Sequence, residues 1–191
     1  MCDEIVDKYY SLFGNDVHLG IQQCRDEVEE LIEYFDGEKF DSYAEVGVDE
    51  CGSLWLFSHL FLNEGAKIYA IDQSMKKIAF KVMNELDKYF DVTVVHGDSL
   101  GDYFRRVELT FIDGGHQYEE VNADFDHYYD KTTKYIMLHD TMLWPGCIKM
   151  RKQLERKYKT KTFSGSDLIS GHWGIDKKDP STGITVIKKG E

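Results

Sequence analysis

Short apolar runs that close on an acidic residue recur along this sequence, with helical patterns set between most of them. The runs are SYAEVG at 42–47, KIYAID at 67–72, DVTVVHGD at 91–98, VELTFIDGG at 107–115 and KYIMLHD at 134–140. Helical spacing follows from about residue 52, over about 75–89, over about 117–130 and from about 146. Strand alternating with helix predicts βαβ units, and βαβ units predict a parallel sheet with right-handed crossovers. KTKTFSG at 159–165 and GITVIKK at 183–189 carry no helical period and predict a terminal antiparallel strand pair at one sheet edge. Ahead of the sheet, Ile21, Cys24, Val28, Leu31, Ile32 and Phe35 recur at helical spacing and predict an amphipathic helix over 20–36, after a shorter one.

The 191 residues suffice for one core, so the expectation is a single domain, with N-terminal helices over 1–40 and the α/β core over 41–191. No apolar run approaches the roughly 20 residues that span a bilayer, and MCDEIVDKYY is acidic where a secretory signal is basic. A cytoplasmic protein with no membrane partner is the expectation. Cys2, Cys24, Cys51 and Cys147 form no CxxC pair, which predicts buried, reduced thiols. The net charge of −12 is concentrated early, with 15 acids against 3 bases in residues 1–50. Such a field repels phosphates and argues against nucleic acid as the partner. The basic run Lys149, Arg151, Lys152, Arg156, Lys157, Lys159 and Lys161 is a solvated helix face, a contact for the acidic region of a second subunit in a homo-oligomer, or a lure for an anionic substrate.

Ligands of open parallel sheets bind beyond the carboxyl ends of the strands, where Asp72, Asp98, Asp113 and Asp140 fall. The turn after the first strand, Glu45-Val46-Gly47-Val48-Asp49-Glu50-Cys51-Gly52-Ser53, opens a helix whose free N–H groups can receive an anion. Asp72 comes about 20 residues later, the spacing at which an acid accepts both hydroxyls of a ribose, so an adenosine-containing cofactor is indicated. Asp98 either accepts from an adenine amino group or, with Ser99, caps a helix. Asp113 and His116, parted by Gly114-Gly115, converge with His139 and Asp140 on an oxygen-rich site of the kind that suits Mg²⁺, Mn²⁺ or Ca²⁺.

Ile112-Asp113-Gly114-Gly115-His116-Gln117-Tyr118 and His139-Asp140-Thr141 resemble the IDGxHxY and HDT motifs of class I S-adenosylmethionine-dependent methyltransferases, in particular small-molecule O-methyltransferases. The resemblance runs from about Gln22 to Lys188. It implies a Rossmann-like, doubly wound α/β sheet of five parallel strands plus the C-terminal antiparallel pair, with helices on both faces. It also implies that Glu45, Gly47, Gly52 and Ser53 hold the methionine end of S-adenosylmethionine, Asp72 its ribose, and Asp98 and Ser99 its adenine. Asp113 would border the cofactor and, with Asp140 and His139, hold Mg²⁺ or another divalent cation, while His116 serves as base. The implied activity is methyl transfer to a hydroxyl of a small molecule such as a sugar, a phenol or a natural product.

The family usually has glycine at Cys51, and the wider fold often has it at Asp49, because the backbone passes close to the cofactor there, so either Gly52 takes over the close approach or the Cys51 side chain crowds the cofactor and weakens its binding. That departure leaves a second reading, a ligand-binding or assembly module on the same fold. A third reading is an NAD-dependent oxidoreductase, since Gly47, Gly52 and Asp72 imitate a dinucleotide fingerprint. Asp49 opposes it, standing where backbone must approach a pyrophosphate. Trp144 and the His172-Trp173 pair can wall an acceptor pocket, and Gly165, Gly171 and Gly174 would let 164–174 move as a lid.

Overall fold

The computed structural model describes residues 2–165, 169 and 182–190. His172, Trp173, Gly171 and Gly174 lie outside these residues, and with them most of the expected lid.

Two helices lead the chain, α1 (Cys2–Phe13) and α2 (Arg25–Phe35), followed by β1 (Phe40–Val46) and α3 (Gly52–Phe61). Next come β2 (Leu62–Asp72), α4 (Lys77–Leu86), β3 (Asp91–His96), β4 (Val107–Ile112) and α5 (Tyr118–Tyr129). The series closes with β5 (Thr132–Leu138), α6 (Pro145–Leu154), β6 (Thr160–Phe163) and β7 (Ile184–Lys188). The seven strands form one sheet in the order β3-β2-β1-β4-β5-β7-β6. β1 to β5 are mutually parallel, whereas β7 runs antiparallel to both β5 and β6. This is the Rossmann-like arrangement expected from the sequence, with the second terminal strand inserted between β5 and the first.

Alternation along each strand feeds two separate cores, as a period of 2 requires. Leu109, Phe111, Tyr135 and Met137 face the layer built by α1 to α4. Ile112, Ile136 and Leu138 face α5 and α6. Nine of the ten residues of α3 are buried, because α1 covers the side turned away from the sheet. Phe13 meets Trp55 edge-on at 5.6 Å, and the Trp55 indole donates to the Ile5 carbonyl at 3.0 Å. Among the described residues no helix is long and apolar enough to cross a membrane. All four cysteines are free and buried, as the spacing implied.

Two boundaries differ from the sequence reading for identifiable reasons. α2 begins at Arg25 rather than near residue 20, because the N–H groups of His18, Leu19 and Gly20 donate to the Glu50 carboxylate at 2.7–3.1 Å instead of entering a helix. Ile21 and Cys24 are still buried, so the apolar spacing was right while the backbone took another course. β2 starts five residues early, at Leu62, and its pairing with β1 shifts register between Leu62 and Lys67, where Gly65 has φ +76°.

Candidate functional site

Strand order reverses between β1 and β4, and there a cavity of about 450 Å³ opens at the carboxyl edge of the sheet. Gly47 and Asp49 border it after β1, Asp72 at the end of β2, and Asp98 and Ser99 after β3. Asp113, Gly114, Gly115 and His116 follow from β4, and Asp140 from β5. The structure therefore brings together the four acids that end the strands.

The turn after β1 is held by contacts that explain its sequence. Gly47 has φ +87°, and a Cβ there would lie 2.2 Å from the Asp113 carbonyl, so only glycine lets the β1 and β4 ends meet this closely. Asp49 and Cys51 also have positive φ, +42° and +62°. That conformation accounts for a glycine preference at both positions and costs a side-chain-bearing residue about 1–2 kcal/mol. The expected crowding at Cys51 is not found. Its side chain is fully buried in the α1–α4 layer, its Sγ lies 3.9 Å from the Ala79 carbonyl, and it does not border the cavity. Burial pushes its thiol well up, which keeps it inert. The constraint at 51 is backbone conformation, whereas the sequence reading had assumed it was space.

Glu45 does not border the cavity either. It is fully buried, accepts from the Ser53 hydroxyl at 2.6 Å and from the Tyr43 phenol, and burial pushes its carboxyl up to about 8. Ser53 and Gly52 border a smaller neighbouring pocket beside Gly47. A Cβ on Gly52 would lie 2.3 Å from the Gly20 carbonyl, so the close approach there is taken by the chain's own segment ahead of α2. Glu50 ties that segment down. Burial alone would raise its carboxyl, but the Gly20, Leu19 and His18 N–H groups and Lys76 hold it below the usual range.

Asp72 accepts from Ser74 N at 2.6 Å and from Asp49 N at 3.0 Å, which fixes its carboxylate at the cavity wall. Asp98 caps a turn rather than a helix: its Oδ1 accepts from Leu100 N at 2.9 Å, and no helix follows before β4.

Beyond β4 and β5 the acids and imidazoles alternate. The Asp113 carboxylate is 3.0 Å from His139 Nδ1, and that nitrogen is 3.8 Å from Asp140 Oδ1. Asp140 Oδ2 is 2.8 Å from His116 Nε2. One ligand atom from each of Asp113, His139 and Asp140 lies within 4.8 Å of the others. Burial opposes charge on His139, yet Asp113 and Asp140 outweigh it and raise its pKa to about 10. The hydrogen bond that His116 donates to Asp140 raises the His116 pKa as well. Burial also works against ionisation of Asp140, but His139 and His116 hold it below the usual carboxylate range, while burial pushes Asp113 up. Trp144, 45% exposed, stacks on His116 with ring centroids 5.2 Å apart.

Residues 44–141, just over half of the chain, match the model of a family described as a methyltransferase domain. The chain belongs to that methyltransferase family. Among solved structures, the O-methyltransferase TomG from Streptomyces achromogenes, in complex with SAM, superposes at a TM-score of 0.66 with 12% identity, covering 98% of this chain and 91% of that one. An O-methyltransferase from Bacillus cereus in complex with SAH gives 0.61 with 15% identity, covering 98% and 90%. A SAM-dependent O-methyltransferase from Thermotoga maritima gives 0.65 with 12% identity, covering 97% and 71%. At these identities the likeness is one of fold. No curated protein sequence matches the chain.

Two buried acids at or near this cavity escaped the sequence reading. Asp124, on α5, is 4% exposed, borders the cavity and has its carboxyl pushed up by burial. It shares a helical face with Val121, Phe125 and Tyr128, and an acid within an apolar stripe was the available signal. Glu27, on α2, is fully buried, and Oε1 lies 4.0 Å from His139 Nε2. It falls between Cys24 and Leu31 and passed for part of the solvated face. The basic run is partly tied inward: Arg151 donates to the Thr141 carbonyl at 3.1 Å and pairs with Glu155 at 2.8 Å.

Proposed function

We propose that this methyltransferase moves the methyl group of S-adenosylmethionine to a hydroxyl of a small molecule, assisted by a divalent cation. The observation that carries the reading is the chain of contacts Asp113–His139–Asp140–His116 at one end of the cavity.

The cavity residues suit the cofactor. Its volume of about 450 Å³ is within the usual range for ligand sites. Asp49, Asp72, Asp98 and Asp113 border it, and such a lining favours a ligand bearing sulfonium and ammonium charges over a dinucleotide pyrophosphate. Asp72 would hold the ribose hydroxyls, Asp98 and Ser99 the adenine, and Gly47 and Asp113 the methionine end. Glu45, Gly52 and Ser53 would act through the shape of the turn. With Cys51 turned into the core, the ground for a non-catalytic module falls away. S-adenosylmethionine, when bound, supplies an electrophilic methyl group.

Asp113, Asp140 and His139 also fit a cation. Two carboxylates and an imidazole offer the mixed oxygen and nitrogen donors that Mg²⁺ or Mn²⁺ accepts, and the charge on His139 now offsets the acids as a cation would. An ion held by these three residues would lower the pKa of an acceptor hydroxyl. His116, partly exposed at the cavity and held through Nε2 by Asp140, would take the hydroxyl proton once neutral, and Trp144 stacked beside it offers a flat wall to a ring or sugar face.

Replacing His116 by alanine is expected to lower kcat about 10²–10⁴-fold with cofactor affinity intact, measured by steady-state kinetics and calorimetry. Undiminished kcat would exclude the base role. Because Asp140 raises the His116 pKa above its ordinary 6.5, the neutral base is lost as pH falls through a midpoint above that value, and turnover should fall with it. Saturating Mg²⁺ should move that midpoint down by competing for Asp140. For the cofactor end, Asp72→Ala should weaken S-adenosylmethionine binding roughly 10–100-fold by calorimetry, the worth of about 1.5–3 kcal/mol of charged hydrogen bonding, while kcat at saturation changes little.

A further inference from the structure

We infer that Glu27 positions His139 within the cation site: its carboxylate, carried in by α2, receives the Nε2–H of the imidazole and so turns Nδ1 toward Asp113 and Asp140. The inference rests on the cation-assisted reading above.

Glu27 is fully buried, and among the described residues its one ion-pair partner is His139, at 4.0 Å. Three other donors hold the carboxylate still. Cys24 N donates at 2.7 Å, the Thr182 hydroxyl at 3.0 Å and Gly183 N at 3.1 Å. Capping α2 accounts for the first of these bonds alone, since a capping acid needs only the N-cap N–H and normally lies in solvent. The other two come from the segment that enters β7, so helix and strand together aim this acid at the site.

His139 supplies the complementary half. Its Nδ1 faces Asp113 at 3.0 Å, whereas its Nε2 is buried without a hydrogen-bond partner. An imidazole that ligates through one nitrogen must carry its proton on the other, and that N–H requires an acceptor. Glu27 Oε1 is where the acceptor has to be, and a shift of roughly 1 Å brings 4.0 Å to hydrogen-bond length. Glu27 would thereby select the Nε2–H tautomer and leave the Nδ1 lone pair for the cation.

The test titrates Mn²⁺ into the intact protein by calorimetry, comparing wild type, Asp140→Asn and Glu27→Gln. Wild type should bind, Asp140→Asn should lose binding, and Glu27→Gln should bind about 10–100-fold more weakly with S-adenosylmethionine affinity unchanged. Equal Mn²⁺ affinity in Glu27→Gln and wild type would overturn the positioning role while leaving the cation site standing. Absence of Mn²⁺ binding in wild type would overturn both. Should Glu27→Gln not fold, long-range ¹⁵N–¹H correlation on wild type with Mg²⁺ decides the matter: Nε2 of His139 protonated is the expected state, and Nδ1 protonated refutes it.

Discussion

Asp140→Asn should reduce turnover by three orders of magnitude or so while leaving S-adenosylmethionine binding in place, because one carboxylate serves two partners. Its Oδ2 meets His116 and its Oδ1 faces His139 and the proposed cation position. The amide keeps the shape but removes the charge that holds the cation and raises the His116 pKa. Asparagine is the right replacement, because residue 140 has φ +57°, a conformation asparagine tolerates and alanine does not. A melting temperature near that of wild type, together with the loss of turnover, would place the effect in the chemistry. Retention of wild-type kcat in the presence of a chelator would sink the cation, and retention of it in Asp140→Asn would sink the proposed role of Asp140.

Gly47→Ala is expected to have the largest effect on stability, lowering the unfolding free energy by roughly 3–5 kcal/mol in urea titration. Two costs add. The residue would be forced to keep φ +87°, and its Cβ would press to within 2.2 Å of the Asp113 carbonyl. That carbonyl is backbone and cannot swing aside as a side chain would. Gly47 N and Asp113 N each pair across the sheet, with Ile71 O at 2.9 Å and Val46 O at 2.8 Å, so relief requires parting the ends of three strands. Any variant molecules that fold should also show displaced Asp113 and weakened Mn²⁺ binding. A change in unfolding free energy below about 1 kcal/mol would mean that the turn yields more readily than its contacts indicate.

What could be read in advance followed from periodicity and from strand ends. Short apolar runs alternating with helical spacing gave the order of strands and helices, and the acids at 72, 98, 113 and 140 followed from where parallel strands stop. Interactions between distant segments were not legible. Glu27 reads as one acid among many on α2 until Thr182 and Gly183 arrive from 155 and 156 residues away. Glu50 reads as part of an acidic turn until the backbone of 18–20 folds onto it. Cys51 was misjudged for a related reason, since a sequence records that glycine is missing but not whether room or torsion had required it. Asp124 lay within reach, as an acid inside an apolar stripe.

The position of β7 has a consequence for biosynthesis. Among the described residues β6 pairs with the sheet only through β7, although it precedes β7 in the chain. While a ribosome is still making residues 164–183, the flank of β5 has no neighbour and β6 has nothing to dock on. Such an open flank invites mispairing with other nascent chains. The sheet closes only when 184–188 emerge, and the same event delivers Thr182 and Gly183 to Glu27. The step that closes this flank of the sheet is therefore also the step that fixes the acid proposed to orient His139.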